Sequence, residues 1–220
     1  MGDSLCLPRE GCYYEETWYS LLKQAYPSVD MSSFFFGGAH VNEIKKEWEG
    51  YYQFIKPDMV ILQVGICDSA PRYFNEHKLI WRIVLLICNF THTTNFFWRI
   101  IKKGSRKPDV VDTPLPLFKK QYEQLVNEMK ESGVKKIIVI KIGHGDKRIE
   151  AKSPYFNSNA DKYNNIIEEI VKQNPTIMLC IDPLNNATEE MYVDGYHCGS
   201  LGMKRVFNEL KGAFEKIGRI

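Results

Sequence analysis

Three short apolar runs, residues 59–64, 136–142 and 176–181, constrain this chain more than any other feature. Each is rich in Ile, Val or Leu, is too short for a buried helix, and is bounded by Pro, Gly or Asp. Strands covered on both faces have this composition, because neither side of the pleat meets water. Between the runs the period changes. Residues 116–132 put Leu117, Phe118, Tyr122, Leu125, Val126 and Met129 on one face ahead of Gly133, which predicts an amphipathic helix stopped by glycine. Helices are also expected over 16–26, 41–51, 161–173 and 201–216, with a fourth strand over 34–36 ahead of Gly37 and Gly38. Strands alternating with helices of this length predict an α/β fold with a parallel sheet covered on both faces. In such sheets chemistry gathers at the carboxyl ends of the strands.

No repeat or linker divides the chain, so 1–220 reads as one domain, long enough at 44% hydrophobic residues to bury a sizeable core. The formal charge of +2 is too small to call for a nucleic-acid partner. Six cysteines without a C-x-x-C pair indicate reduced thiols rather than a zinc site or a disulfide scaffold. Neither a metal nor a cofactor is called for. With no basic segment and apolar stretch opening the chain, a cytoplasmic location is expected.

Residues 77–107 have a different composition, with an apolar stretch, the aromatic Phe96-Phe97-Trp98 and then a basic run, and read as an insertion. Arg82 interrupts an apolar run already too short to span a bilayer. Two readings are open for the segment: a buried helix with a solvated basic end, or a flap that contacts a membrane peripherally or gates substrate.

Gly2-Asp3-Ser4-Leu5 stands at one end and Asp194-Gly195-Tyr196-His197 at the other. Between them, directly after expected strands, come Gly37-Gly38 and Gly65-Ile66-Cys67-Asp68. In this order the four blocks resemble those of the GDSL/SGNH hydrolases: GDS, a glycine, G-x-N-D and D-x-x-H. The resemblance spans nearly the whole chain and implies a three-layer α/β/α sandwich with a flavodoxin-like parallel sheet. It also implies a serine esterase. The resemblance implies as substrate an ester of a small acyl group, foremost acetyl on a carbohydrate, and residues 65–72 are further similar to bacterial members associated with surface-polysaccharide synthesis. No G-x-S-x-G elbow is present, which disfavours a standard α/β-hydrolase.

A serine hydroxyl needs a base to become nucleophilic at neutral pH, and an imidazole can supply it. His197 is the matching candidate for Ser4, with Asp194, three residues earlier, to orient the ring. Taken alone, that pair reads as a capping aspartate and a surface histidine. By resemblance the oxyanion donors are the backbone N–H of Ser4, that of Gly38 (or Gly37), and the side chain at Cys67, where the pattern has asparagine. A thiol is only a weak donor. Candidate substrate-contacting residues are Gly37, His40, Asp68 and Arg72; Asp68 is also expected to brace its loop, and Arg72 either binds an anionic group or is ion-paired. His77, His92 and His144 read as surface or loop residues.

Two rivals share these residues: an acyltransferase using the same acyl-serine, and a catalytically weak binding protein, for which Cys67 speaks. The pattern also places a central strand before the nucleophile, and here only Met1 precedes Gly2. The first strand is therefore expected to be missing, with the native product beginning upstream.

Overall fold

A computed structural model describes residues 1–74, 79–102 and 106–217. His77 and Lys103 of the basic segment lie outside these residues. Strand β1 (Met59–Leu62) pairs in parallel with β2 (Lys136–Ile140), Met59 opposite Lys136, and β2 pairs with β3 (Met178–Ile181), Ile137 opposite Met178. Past β1, Gly2 bridges Gln63 on one side and Phe35 on the other, both parallel. The order across the sheet is therefore Phe35, Gly2, β1, β2, β3, the flavodoxin-like arrangement.

The expected fourth strand, 34–36, is reduced to the single bridge at Phe35. In the slot of the first strand, Met1–Asp3 make ladder bonds to both neighbours. Met1 N donates to Ile61 O (2.7 Å), Gln63 N to Met1 O (3.1 Å) and Asp3 N to Gln63 O (3.0 Å). On the other side Gly2 N donates to Phe34 O (2.8 Å) and Phe36 N to Gly2 O (3.1 Å). Only the carboxyl end of the slot is filled by these residues, and that end carries Ser4. Gly2 is required there, because a Cβ would lie 2.8 Å from the carbonyl oxygen of Gln63.

Side chains of β2 alternate between two cores, as the period of a strand demands. Ile137 and Val139 face α2 (Val41–Gly50), α6 (Leu115–Glu131) and α8 (Phe156–Gln173). Ile138 and Ile140 face α1 (Trp18–Ala25) and α9 (Ser200–Ile217). These are the three layers. Helix α6 matches its expected span and buries Phe118, Tyr122, Leu125, Val126 and Met129; Gly133, at φ +96°, then turns the chain toward β2. Helix α8 starts five residues earlier than its pattern suggests. Its first turns bury Asn159, which donates to Ser69 O (3.1 Å) and Pro108 O (2.8 Å), so polar residues occupy core-facing positions by hydrogen bonding.

Between β1 and α6 lie the short α3 (Ile66–Ser69), then α4 (Leu79–Phe90) and α5 (Thr94–Ile101). The buried-helix reading of this segment fails: no residue of α4 or α5 is buried. A short α7 (Lys147–Lys152) follows β2.

Candidate active site

Ser4 opens a single 3₁₀ turn, Ser4–Cys6, immediately after the paired Gly2 and Asp3. Asp3 caps that turn, its Oδ1 accepting from Leu5 N at 2.9 Å. Burial pushes the Asp3 carboxyl up to about 7, against backbone amides of Leu5, Ile66 and Gly65 that favour its charge. The nucleophile candidate thus sits on a turn fixed to two adjacent strands.

The loop before α9 brings the other two residues to it. Ser4 Oγ lies 3.1 Å from His197 Nε2, and His197 Nδ1 lies 2.7 Å from Asp194 Oδ2. Asp194 Oδ1 also accepts from His197 N at 3.0 Å. Burial works against the Asp194 charge, yet the hydrogen bonds from the His197 ring and amide outweigh it and hold the carboxyl below its usual range. His197 moves the other way from an ordinary ion pair. Burial and the nearby Arg9 charge lower its proton affinity more than Asp194 raises it, so the ring rests as a neutral base with Nδ1–H directed at the carboxylate.

Several residues that hold this geometry carry no motif. The Arg9 guanidinium donates to the carbonyl of Ser4. Arg148 donates to Val193 O (3.3 Å), Tyr192 O (3.0 Å) and Glu189 O (3.2 Å) while paired to Asp146 (2.6 Å), pinning the loop that carries Asp194 and His197. Asp146 N in turn donates to Gly195 O at 2.7 Å. Tyr196 packs its ring on the His197 imidazole with centroids 4.0 Å apart. Only the charge and loop position of these residues were visible in the sequence.

The glycine loop lies beside the serine turn, with Phe36 bonded to Gly2 just before Gly37. Gly38 adopts φ +81°, a left-handed conformation that suits glycine. Neither the Ser4 nor the Gly38 backbone N–H donates to an acceptor among the described residues.

Cys67 follows Gly65, at φ +125°, in the first turn of α3. Burial and the neighbouring Asp3 raise its thiol far above the usual range, more than Arg72 lowers it. The group stays a protonated thiol, which disfavours a thiolate nucleophile. Asp68 is fully buried, accepts from Val41 N at 3.1 Å, and is pushed up to about 6 by burial; it braces α2 against α3 rather than meeting solvent. His40 has both ring nitrogens engaged, Nδ1 with Glu43 (3.1 Å) and Nε2 with Asp112 (3.2 Å). The hydrogen bond to Asp112 raises its proton affinity despite burial. Arg72 is ion-paired, with Nη2 2.6 Å from Asp112 Oδ2, and Nη2 also reaches Cys67 O at 3.4 Å. His144 pairs with Asp161 at 2.6 Å and His92 is exposed.

This arrangement matches solved structures over nearly its whole length. A catalytic mutant of an acetylxylan esterase from Geobacillus stearothermophilus superposes with a TM-score of 0.62 at 16% identity, covering 99% of this chain and 91% of that one. A lipase/acylhydrolase from Enterococcus faecalis gives 0.63 at 14% identity, covering 98% and 93%. The fold is that of the SGNH hydrolases. No protein-family model and no curated protein sequence matches the chain. Within the SGNH fold, the turn after the first strand slot holds Ser4, the loop after the second holds Gly38, the turn after β1 holds Cys67, and the loop before α9 holds Asp194 and His197. Cys67 is where the chain departs from the SGNH pattern.

Proposed function

We propose that the chain is a serine esterase that hydrolyses an acyl ester, most simply an acetyl ester on a carbohydrate. The observation that carries this reading is the unbroken hydrogen-bonded series Ser4 Oγ, His197 Nε2, His197 Nδ1, Asp194 Oδ2 at the carboxyl end of a parallel sheet. His197 takes the Ser4 proton as Oγ attacks the ester carbonyl, forming a tetrahedral oxyanion beside the Ser4 and Gly38 N–H groups. The proton passes from His197 to the departing alcohol, leaving an acyl-serine. Water, deprotonated by His197, then releases the carboxylic acid and restores Ser4. The acetyl-carbohydrate assignment draws support from fold neighbours named as acetylxylan esterases, among them AlAXEase at 17% identity and a TM-score of 0.57, covering 96% of each chain.

A fluorophosphonate probe and p-nitrophenyl acetate test this directly. Labelling and turnover are expected to vanish in Ser4→Ala and to persist when Cys6, Cys12 or Cys198 is changed to Ala. Undiminished turnover by Ser4→Ala removes the proposal. Because the acyl-serine can also pass its acyl group to a sugar hydroxyl, products formed with a glycan present separate hydrolysis from transfer.

A further inference from the structure

Helices α4 and α5 form a hairpin unlike the rest of the molecule. Leu79, Ile83, Leu86 and Phe90 recur at helical spacing along α4, and all are exposed, Phe90 by 84%. Phe96 and Ile100 of α5 are exposed as well. A soluble helix normally turns such a stripe inward. The other side of the hairpin is what anchors it: Phe74, buried, stacks on Trp81 at 4.3 Å and Trp98 at 5.7 Å between centroids. The outward stripe is thus not needed to hold the hairpin in place.

Charge identifies what the stripe meets. Residues 77–108 hold seven of the 29 Lys and Arg residues and none of the 27 Asp and Glu, leaving the rest of the chain at about −5. A cleft of about 620 Å³ beside α5 is lined by Asn95, Trp98, Arg99 and Lys102. A smaller cavity of about 150 Å³ shares Trp98 and Lys102 and adds Arg72 and Arg106. Exposed apolar side chains and clustered cations are the features that hold a helix in the headgroup region of an anionic bilayer. No described helix is long and apolar enough to cross a membrane.

We propose that the α4–α5 hairpin seats this protein on an anionic lipid surface, with the apolar stripe in the headgroup–acyl boundary and the exposed Arg82, Arg99 and Lys102 on the lipid phosphates. A second copy docked hairpin to hairpin is disfavoured, because each would bring positive charges and no acid to the contact. The root of the hairpin reaches the candidate site. Lys107 N donates to Arg72 O (3.0 Å) and Arg72 N to Val110 O (2.7 Å), while the Arg72 side chain touches the Cys67 carbonyl. Docking therefore holds the site edge close to the lipid surface.

Vesicle flotation tests this, independently of any role for Ser4, using phosphatidylcholine alone or mixed with phosphatidylglycerol at low and high salt. Wild type is expected to float with the mixed vesicles, to float poorly with the neutral ones, and to be released severalfold by salt. Leu86→Asp/Phe90→Asp and, separately, Arg99→Glu/Lys102→Glu are each expected to reduce the bound fraction about tenfold, with unchanged thermal melting because these side chains are exposed. Failure to float, equal flotation with neutral vesicles, or binding that survives either double variant overturns the proposal. So does release by inorganic phosphate beyond that of chloride at equal ionic strength, which marks a free-phosphate site. Sedimentation showing a wild-type dimer that Phe90→Asp dissociates overturns it in favour of self-association.

Discussion

Arg9 donates a guanidinium hydrogen bond to the carbonyl of Ser4 and sets a fixed positive charge near His197. One side chain therefore shapes the turn that carries the proposed nucleophile and tunes the proposed base. Burial is the larger cause of the lowered His197 proton affinity, with Arg9 adding to it against the pull of Asp194.

The neutral ring is the form that accepts the Ser4 proton, so kcat/KM for p-nitrophenyl acetate should fall as pH drops through a midpoint below the ordinary imidazole value of about 6.5. Replacing Arg9 by Gln removes a charge that disfavours imidazolium. The midpoint should then move to higher pH, and an unshifted acid limb would show that Arg9 acts only on the backbone.

Asp194→Asn keeps an oxygen for the His197 and Tyr196 amides but removes the carboxylate that fixes the Nδ1–H tautomer and steadies the imidazolium. A loss in kcat on the order of 10⁴-fold is expected, with KM little changed. A loss of less than about tenfold in steady-state kinetics would mean that Asp194 only caps its loop.

Cys67 supplies a protonated, half-buried thiol where the SGNH pattern has an amide. His40, an alternative side-chain donor, has both ring nitrogens committed to carboxylates. Cys67→Asn is therefore expected to raise kcat by up to about 10²-fold without a comparable change in KM. Cys67→Ala should leave both labelling and rate nearly unchanged; loss of both would assign the thiol a direct part.

Gly145 packs where a Cβ would lie 2.1 Å from Ile149 Cγ2 and 2.9 Å from the Gly195 carbonyl. Gly145→Ala should cost about 1–3 kcal/mol, seen as a Tm lowered by about 2–4 °C for each kcal/mol. Because Gly195 belongs to the loop bearing Asp194 and His197, kcat should fall as well. A variant with unaltered Tm and kcat would show that this contact relaxes freely.

Much of the architecture was legible in the residues alone. The runs at 59–64, 136–142 and 176–181 read as strands and hold β1, β2 and β3, although β3, at the end of the sheet, buries only Met178. Helix α6 matched its pattern closely because its buried positions are apolar at helical spacing, apart from Leu117, which the face was expected to include and which is exposed. Periodicity failed where burial is achieved by hydrogen bonding, as at Asn159 in α8, and where a strand is replaced by single bridges, as at Phe35 and Gly2.

By itself the sequence determined the alternation of strands and helices and placed the candidate site residues at its two ends, since both are local properties of residue type and spacing. Tertiary structure alone decided that Ser4 and His197, 193 positions apart, stand 3.1 Å from each other. It also decided that Arg9 and Arg148 hold the two halves of that site and that the apolar face of α4 points outward. Such contacts depend on how whole elements pack and how loops close over the sheet. A side chain's own period reports which face it occupies, and carries no record of what meets that face.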